Sequence, residues 1–226
     1  MFHVEHLNKE QGLMFHVEHL NVMMKLSTDA QRDFDLLQER MSGWVSLDEV
    51  WPGLEVYLSL LHRWSNKINL ISHRDLSSIA TKHLSQALMM APFVASLPRH
   101  TILDLGSGSG LPAIPLKLAF PDSHFILVES RRKRAHFLRE VIRYLKLDRI
   151  EVVNERIEDW QGKSEGVDLV ISRAVGSPQQ LLKLVHRHLS PYGWVLSSLS
   201  GEDAQSATLT RRVEVAGVGT TLGLSR

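Results

Sequence analysis

Three glycines spaced G-x-G-x-G, Gly106, Gly108 and Gly110, follow an apolar run that carries one acid, Asp104. Ser107 and Ser109 fill the gaps. Glycine has no Cβ to intrude, so the main chain can bend sharply there and come close to a ligand. Pro112 suits the first turn of a helix, where a missing N–H costs nothing. Such a strand–turn–helix leaves backbone donors facing a ligand at the strand's carboxyl end. The dinucleotide fingerprint is G-x-G-x-x-G. Here Leu111 holds the place of its last glycine. A carboxylate at 104 repels a pyrophosphate and attracts a cationic group, such as an ammonium or a sulfonium. Glu129 closes the next apolar run, HFILVES, where a carboxylate can accept both ribose hydroxyls. The bland alternative is a tight turn that holds nothing.

Together, D-x-G-x-G-x-G and the later acid resemble the S-adenosyl-L-methionine (SAM) pocket of Rossmann-like methyltransferases. In that arrangement Asp104–Leu111 flank the methionine portion and Glu129 the ribose. Ile157 and Glu158, after the third strand, border the adenine: an apolar side chain packs on the purine while backbone groups pair with its edge. Glu158 alone reads as an exposed loop acid. Arg173 ends the fourth strand, where its planar fork can orient a ligand carboxylate or a substrate phosphate; a surface salt bridge is the plainer reading. His83 on a helix face reads as a packed histidine.

Arg131, Arg132, Lys133 and Arg134 open the helix after Glu129. Four cations at the positive end of a helix dipole are locally unfavourable, and they make sense against phosphate. A solvated helix face is the common meaning of such a run.

The elements that must position these residues are a series of strands and helices. Strands are predicted at 101–105, 124–129, 150–153, 167–172 and 194–199. Helices are predicted at 112–119, 133–146 and 178–188, with a turn over Ser190–Gly193. This alternation predicts an α/β fold, a mostly parallel twisted sheet with right-handed crossovers and helices on both faces. A terminal antiparallel hairpin is predicted over 211–224. Upstream, helices are predicted at 29–41, 47–64 and 75–94 from apolar residues at helical spacing. The polar stretch 66–74 separates the last two. The expected organisation is a disordered tail over 1–26, a helical extension packed on the core over 27–95, and a SAM-binding core over 96–226.

At 226 residues and 43% hydrophobic content, the chain can bury a substantial core. Its net charge of +1 means an anionic partner must be met by a local patch. The absence of cysteine excludes disulfides, thiolate zinc sites and cysteine nucleophiles, and fits a cytoplasmic protein. No apolar run is long enough to predict a membrane span, and the N-terminus does not read as a signal peptide. MFHVEHL occurs at 1–7 and again at 14–20. Its His and Glu residues suggest a metal site only weakly. The codons TTC-CAC-GTG-GAA would make Phe-His-Val-Glu a DNA palindrome, so the repeat reads better as a DNA-level binding site translated in passing, or as a misplaced start codon. Gene codons that break the palindrome would end the first idea.

The motifs are similar to those of the ribosomal RNA small-subunit methyltransferase G family, also called glucose-inhibited division protein B. The resemblance rests on NLIS-HR (69–74), KHLSQAL (82–88), LDLGSGSGLPAIPL, LVES-RRKRAHFL, the RIEDW turn and VISRAV (170–175). It implies SAM-dependent methylation of guanine N7 in the decoding-region loop of 16S rRNA, on the small ribosomal subunit or an assembly intermediate; the alternatives are a catalytically weak RNA-binding assembly module and a methyltransferase for a small molecule or protein. A monomer without a metal is expected. It implies SAM contacts at Gly106, Leu111, Glu129, Ile157, Glu158 and Arg173. It makes Asn69, Arg74 and His83 candidates for the substrate face. Gln86, Ala87, Ala113 and Ser200 depart from the family pattern; a lysine is usual at 200, and its loss removes a cation from the expected RNA side. No catalytic base is expected, because guanine N7 carries a free lone pair and positioning alone can supply much of the rate.

Overall fold

The computed structural model describes residues 43–65, 67–71, 83–162, 166–173, 176–199, 211–215 and 220–225. The expected tail, the helix at 29–41, Arg74 and Ser200 lie outside them. Strands β1 (Thr101–Leu105), β2 (His124–Val128), β3 (Ile150–Val153), β4 (Val167–Ser172), β5 (Leu189–Leu199), β6 (Arg211–Val215) and β7 (Thr220–Ser225) form one sheet in the order β3-β2-β1-β4-β5-β7-β6. The pairs from β3 to β5 are parallel. β7 runs antiparallel between β5 and β6, which is the predicted terminal hairpin.

Period-two alternation sorts the strand residues cleanly. Ile102, Phe125, Leu127, Leu169, Ile171 and Leu196 face one apolar core. Leu103, Leu105, Ile126, Val128, Val170 and Val195 face the other. Successive side chains of a strand point to opposite faces, and strands buried on both faces read as continuous apolar runs. The first core is covered by α1 (Leu47–Ser65), α2 (Ser85–Leu88), α3 (Ala91–Ser96), α4 (Ala113–Ala119) and α5 (Arg132–Leu145). The second is covered by α6 (Pro178–Val185), which a 3-10 turn (His186–His188) extends.

Two expectations need correction. The single helix at 75–94 is broken, within its described part, into α2 and α3. Pro92 has no N–H to give to the preceding turn and its ring crowds that turn's carbonyl, so the helix restarts at Ala91. The turn over Ser190–Gly193 instead falls within β5. The ladder still skips it: Val167 pairs with Leu189, and Leu169 next pairs with Trp194. Pro191 lacks the donor a ladder requires, and Pro191 and Tyr192 stand exposed. Gly193 passes so close to β4 that a Cβ would lie 2.8 Å from the Val167 carbonyl oxygen.

Candidate functional site

The chain leaves β1 toward β2 and β3 on one side of the sheet, then returns to β4 on the other. The gap between β1 and β4 at their carboxyl ends is a topological switch point, where open α/β sheets bind ligands. The glycine turn lies there. Gly106 and Ser107 donate their N–H groups to the Val128 carbonyl at 2.9 and 3.2 Å, which ties the turn to the tip of β2. Gly106, Gly108 and Gly110 have φ of 73, 55 and 89°, left-handed values that suit glycine. A Cβ on Gly110 would sit 2.8 Å from Ile114 Cγ1. Pro112 is the N-cap of α4 rather than its first residue, and Leu111 beside it is buried.

Two buried acids flank this turn. Glu129 is 4% exposed, and its two oxygens accept the N–H groups of Gly108 at 2.9 Å and Arg131 at 2.7 Å. A carboxylate has about four acceptor sites, so it can take further donors. Asn154, at the end of β3, donates to the Glu129 carbonyl at 2.8 Å and fixes the peptide from behind. Asp104 is 1% exposed, and neither of its carboxyl oxygens has a hydrogen-bond partner. The Ser107 hydroxyl donates instead to the main-chain carbonyl of Asp104. Burial pushes the Asp104 pKa up to about 7, against the pull of Arg173, with Glu129 adding to the rise. A buried polar group without a partner is costly, and such groups concentrate at functional sites.

Arg173 reaches across to α2. Its Nη2 donates to His83 Nδ1 at 2.9 Å and approaches Gln86 Oε1 at 3.5 Å, while Nη1 approaches the His83 carbonyl at 3.4 Å. His83 is thus an anchor for Arg173. Of the departures from the family pattern, Gln86 meets Arg173, and Ala87 and Ala113 are fully buried in the core. Asn69 is exposed, and its carbonyl accepts from Arg134 Nη2 at 3.0 Å.

Arg131, Arg132 and Lys133 are exposed at the start of α5. Arg134 turns instead toward the glycine turn, with Nη1 3.7 Å from where a Gly108 Cβ would be. The Glu129 carboxylate on the Arg131 N–H already supplies an anion at that helix end, so these cations do not need phosphate to offset the dipole. Ile157 is 4% exposed and belongs to the second core; Glu158 is exposed.

Several residues of the site escaped the sequence reading. Tyr57, on α1, is fully buried and donates its hydroxyl to the Ser109 carbonyl at 2.8 Å; burial raises its pKa, so it stays a donor. Ser172 donates to the Leu105 carbonyl at 3.2 Å. Arg187 donates to the loop after β3. Among the described residues no group of three or more His, Cys, Asp or Glu could hold a metal, and no helix is long and apolar enough to cross a membrane.

The sequence model of a family described as rRNA small subunit methyltransferase G matches residues 52–217. A Legionella pneumophila (strain Corby) protein named ribosomal RNA small subunit methyltransferase G is 38% identical over 148 residues, 66% of this chain and 69% of that protein. A protein of the same name from Escherichia fergusonii is 36% identical over 167 residues, 73% and 78% of the two chains. A solved structure described as a mutant of MtNAS aligns with a TM-score of 0.51 at 16% identity, over 95% of this chain and 89% of that one. That likeness concerns the fold alone.

Proposed function

The chain belongs to the rRNA small subunit methyltransferase G family, and from that premise we propose that it transfers a methyl group from SAM to guanine N7 in the decoding-region loop of 16S rRNA. It acts on the small ribosomal subunit or an assembly intermediate, as a cytoplasmic monomer. One observation carries the cofactor half of this reading: Asp104, buried with both carboxyl oxygens unpartnered, sits at the tip of β1 beside the glycine turn. A desolvated carboxyl group there suits a cationic ligand and repels a diphosphate.

When bound, the sulfonium supplies an electrophilic methyl group, whose C–S bond breaks as guanine N7 bonds to carbon. The protein's residues do the rest. Asp104 faces the positive end of the ligand. Glu129, held by Gly108 and Arg131, keeps acceptor sites for ribose hydroxyls. Ile157 and Glu158 border the adenine. Arg173, anchored on His83, holds its charge beside the switch point, toward the ligand carboxylate or an RNA phosphate. Asn69, Arg74 and His83 belong to the substrate side. Arg131, Arg132 and Lys133 offer a cationic edge to RNA, with Arg134 nearer the cofactor. N7 has no proton to lose, so alignment of sulfur, methyl and nitrogen does the work a base would do elsewhere.

The test is incubation with methyl-labelled SAM and small ribosomal subunits, with naked 16S rRNA and a metabolite pool in parallel. Label is expected on N7-methylguanosine in RNA and is expected to fall as salt rises. Label in neither RNA sample would end this reading; label only in the metabolite pool would redirect it to a small-molecule substrate.

A further inference from the structure

We propose that Arg187 is a positioning residue for the adenine end of the cofactor, acting as a latch on the loop after β3. This rests on the reading that Ile157 and Glu158 border the adenine. From the 3-10 turn, Arg187 Nη2 donates to three carbonyls of that loop: Ile157 at 3.0 Å, Glu158 at 2.5 Å and Trp160 at 3.3 Å. Its Nε donates to His188 Nε2 at 3.1 Å, which aims the guanidinium. His188 is 4% exposed and lies against the Trp160 ring, centroids 5.1 Å apart. Gly162 lets it in, since a Cβ there would sit 2.8 Å from His188 Nδ1. The loop is thus gripped from behind by a second element, although 27 to 30 residues separate the partners.

The grip has a chemical consequence. The Ile157 carbonyl and the Glu158 N–H belong to one peptide group. A cation on the carbonyl polarises that group and strengthens its N–H as a donor. Within the turn, Asp159 and Trp160 both give their N–H groups to the Arg156 carbonyl, which places the Ile157–Glu158 peptide group at the tip of the turn. A fixed, polarised N–H at that tip suits a purine ring nitrogen with a lone pair. Adenine offers one at N1; hypoxanthine carries a proton there. Lysine at 187 keeps the charge but, as a compact ammonium, cannot reproduce the planar fork.

The experiment measures affinity for S-adenosylhomocysteine and S-inosylhomocysteine by calorimetry on the full chain, in wild type, Arg187→Gln and Arg187→Lys. Wild type is expected to prefer the adenosine compound at least tenfold. Both variants are expected to lose most of that preference, and KM for SAM is expected to rise about tenfold while KM for the subunit stays unchanged. A merely structural arginine would lower the melting temperature and leave the preference intact. A wild-type preference that survives in both folded variants overturns the latch and leaves the cofactor site standing. A wild type that binds neither compound overturns the site and the latch together. A wild type that binds both equally also overturns the latch, because the loop then does not read the base. Should Arg187→Gln fail to fold, Arg187→Lys decides.

Discussion

Two buried ionisable side chains stand at opposite ends of the sheet, and their surroundings differ. Lys117, on α4 near the amino ends of the strands, is 2% exposed, and its Nζ donates to the carbonyls of Pro121 at 2.6 Å and Ser123 at 2.7 Å. Asp104, at the carboxyl end of β1, is equally buried and has no donor on either oxygen. Folding completes the first environment and leaves the second incomplete. A satisfied buried charge needs nothing more from outside; an unsatisfied one has room for a donor or a cation that the fold does not supply.

The largest expected effect is on binding at the incomplete end. Asp104→Asn should weaken SAM binding about 100-fold, near 2.7 kcal/mol by the usual conversion, and leave the melting temperature unchanged or higher. Calorimetry and thermal melts measure both; a melting temperature that falls with intact affinity would reverse the contrast. Lys117→Met should do the opposite. It strands two carbonyls without their donor, at a cost of about 2 kcal/mol in stability, with SAM affinity unchanged. Denaturant titration reads the first and calorimetry the second.

The pH dependences sharpen the same contrast. Folded Asp104 keeps its proton up to about pH 7, while the unfolded side chain releases it near 3.8. Between those values the folded state holds the extra proton, so this group lowers stability as pH rises. For Lys117 the unfolded chain holds the proton to 10.5 and the folded one to about 8, chiefly through burial. That group therefore raises stability as pH climbs through this window. A cationic ligand favours ionised Asp104, so SAM affinity should rise about tenfold from pH 6 to the plateau above pH 7. Asp104→Asn should flatten that rise; a slope that persists would assign it to another group. The smallest effect belongs to Tyr57→Phe, which removes one hydroxyl from the Ser109 carbonyl. SAM affinity should drop about fivefold, for roughly 1 kcal/mol of hydrogen bonding, with a shift of only a few degrees in melting.

What the sequence disclosed followed from local patterns. The parallel strands announce themselves because burial on both faces makes them apolar throughout, as in Phe125-Ile126-Leu127-Val128. The glycine turn and its two acids are contiguous or end an apolar run, and the structure gathers them at one edge of the sheet. Tyr57 and Arg187 left no such trace. Tyr57 reads as one more apolar position on α1, and its partner lies 52 residues away. Arg187 lies near the end of the helix predicted at 178–188 with nothing local to single it out, yet it holds a loop some 30 residues back. A pairing across that distance depends on how elements pack, which spacing within one element does not reveal. Pro92 is visible in the sequence, but Ile79, His83, Ala87 and Met90 keep a helical spacing up to it, and a single proline does not show on which side the helix restarts.

The reach of α1 bears on how this chain can be cut. Leu54, Tyr57 and Leu61 are wholly enclosed in the same core as Ile114 and Leu138. A fragment beginning at Arg99 would therefore bare an oily wall beside the glycine turn and lose the hydroxyl that steadies it. The front helix and the sheet form one folding unit through that shared core, and grafting one without the other should yield insoluble protein.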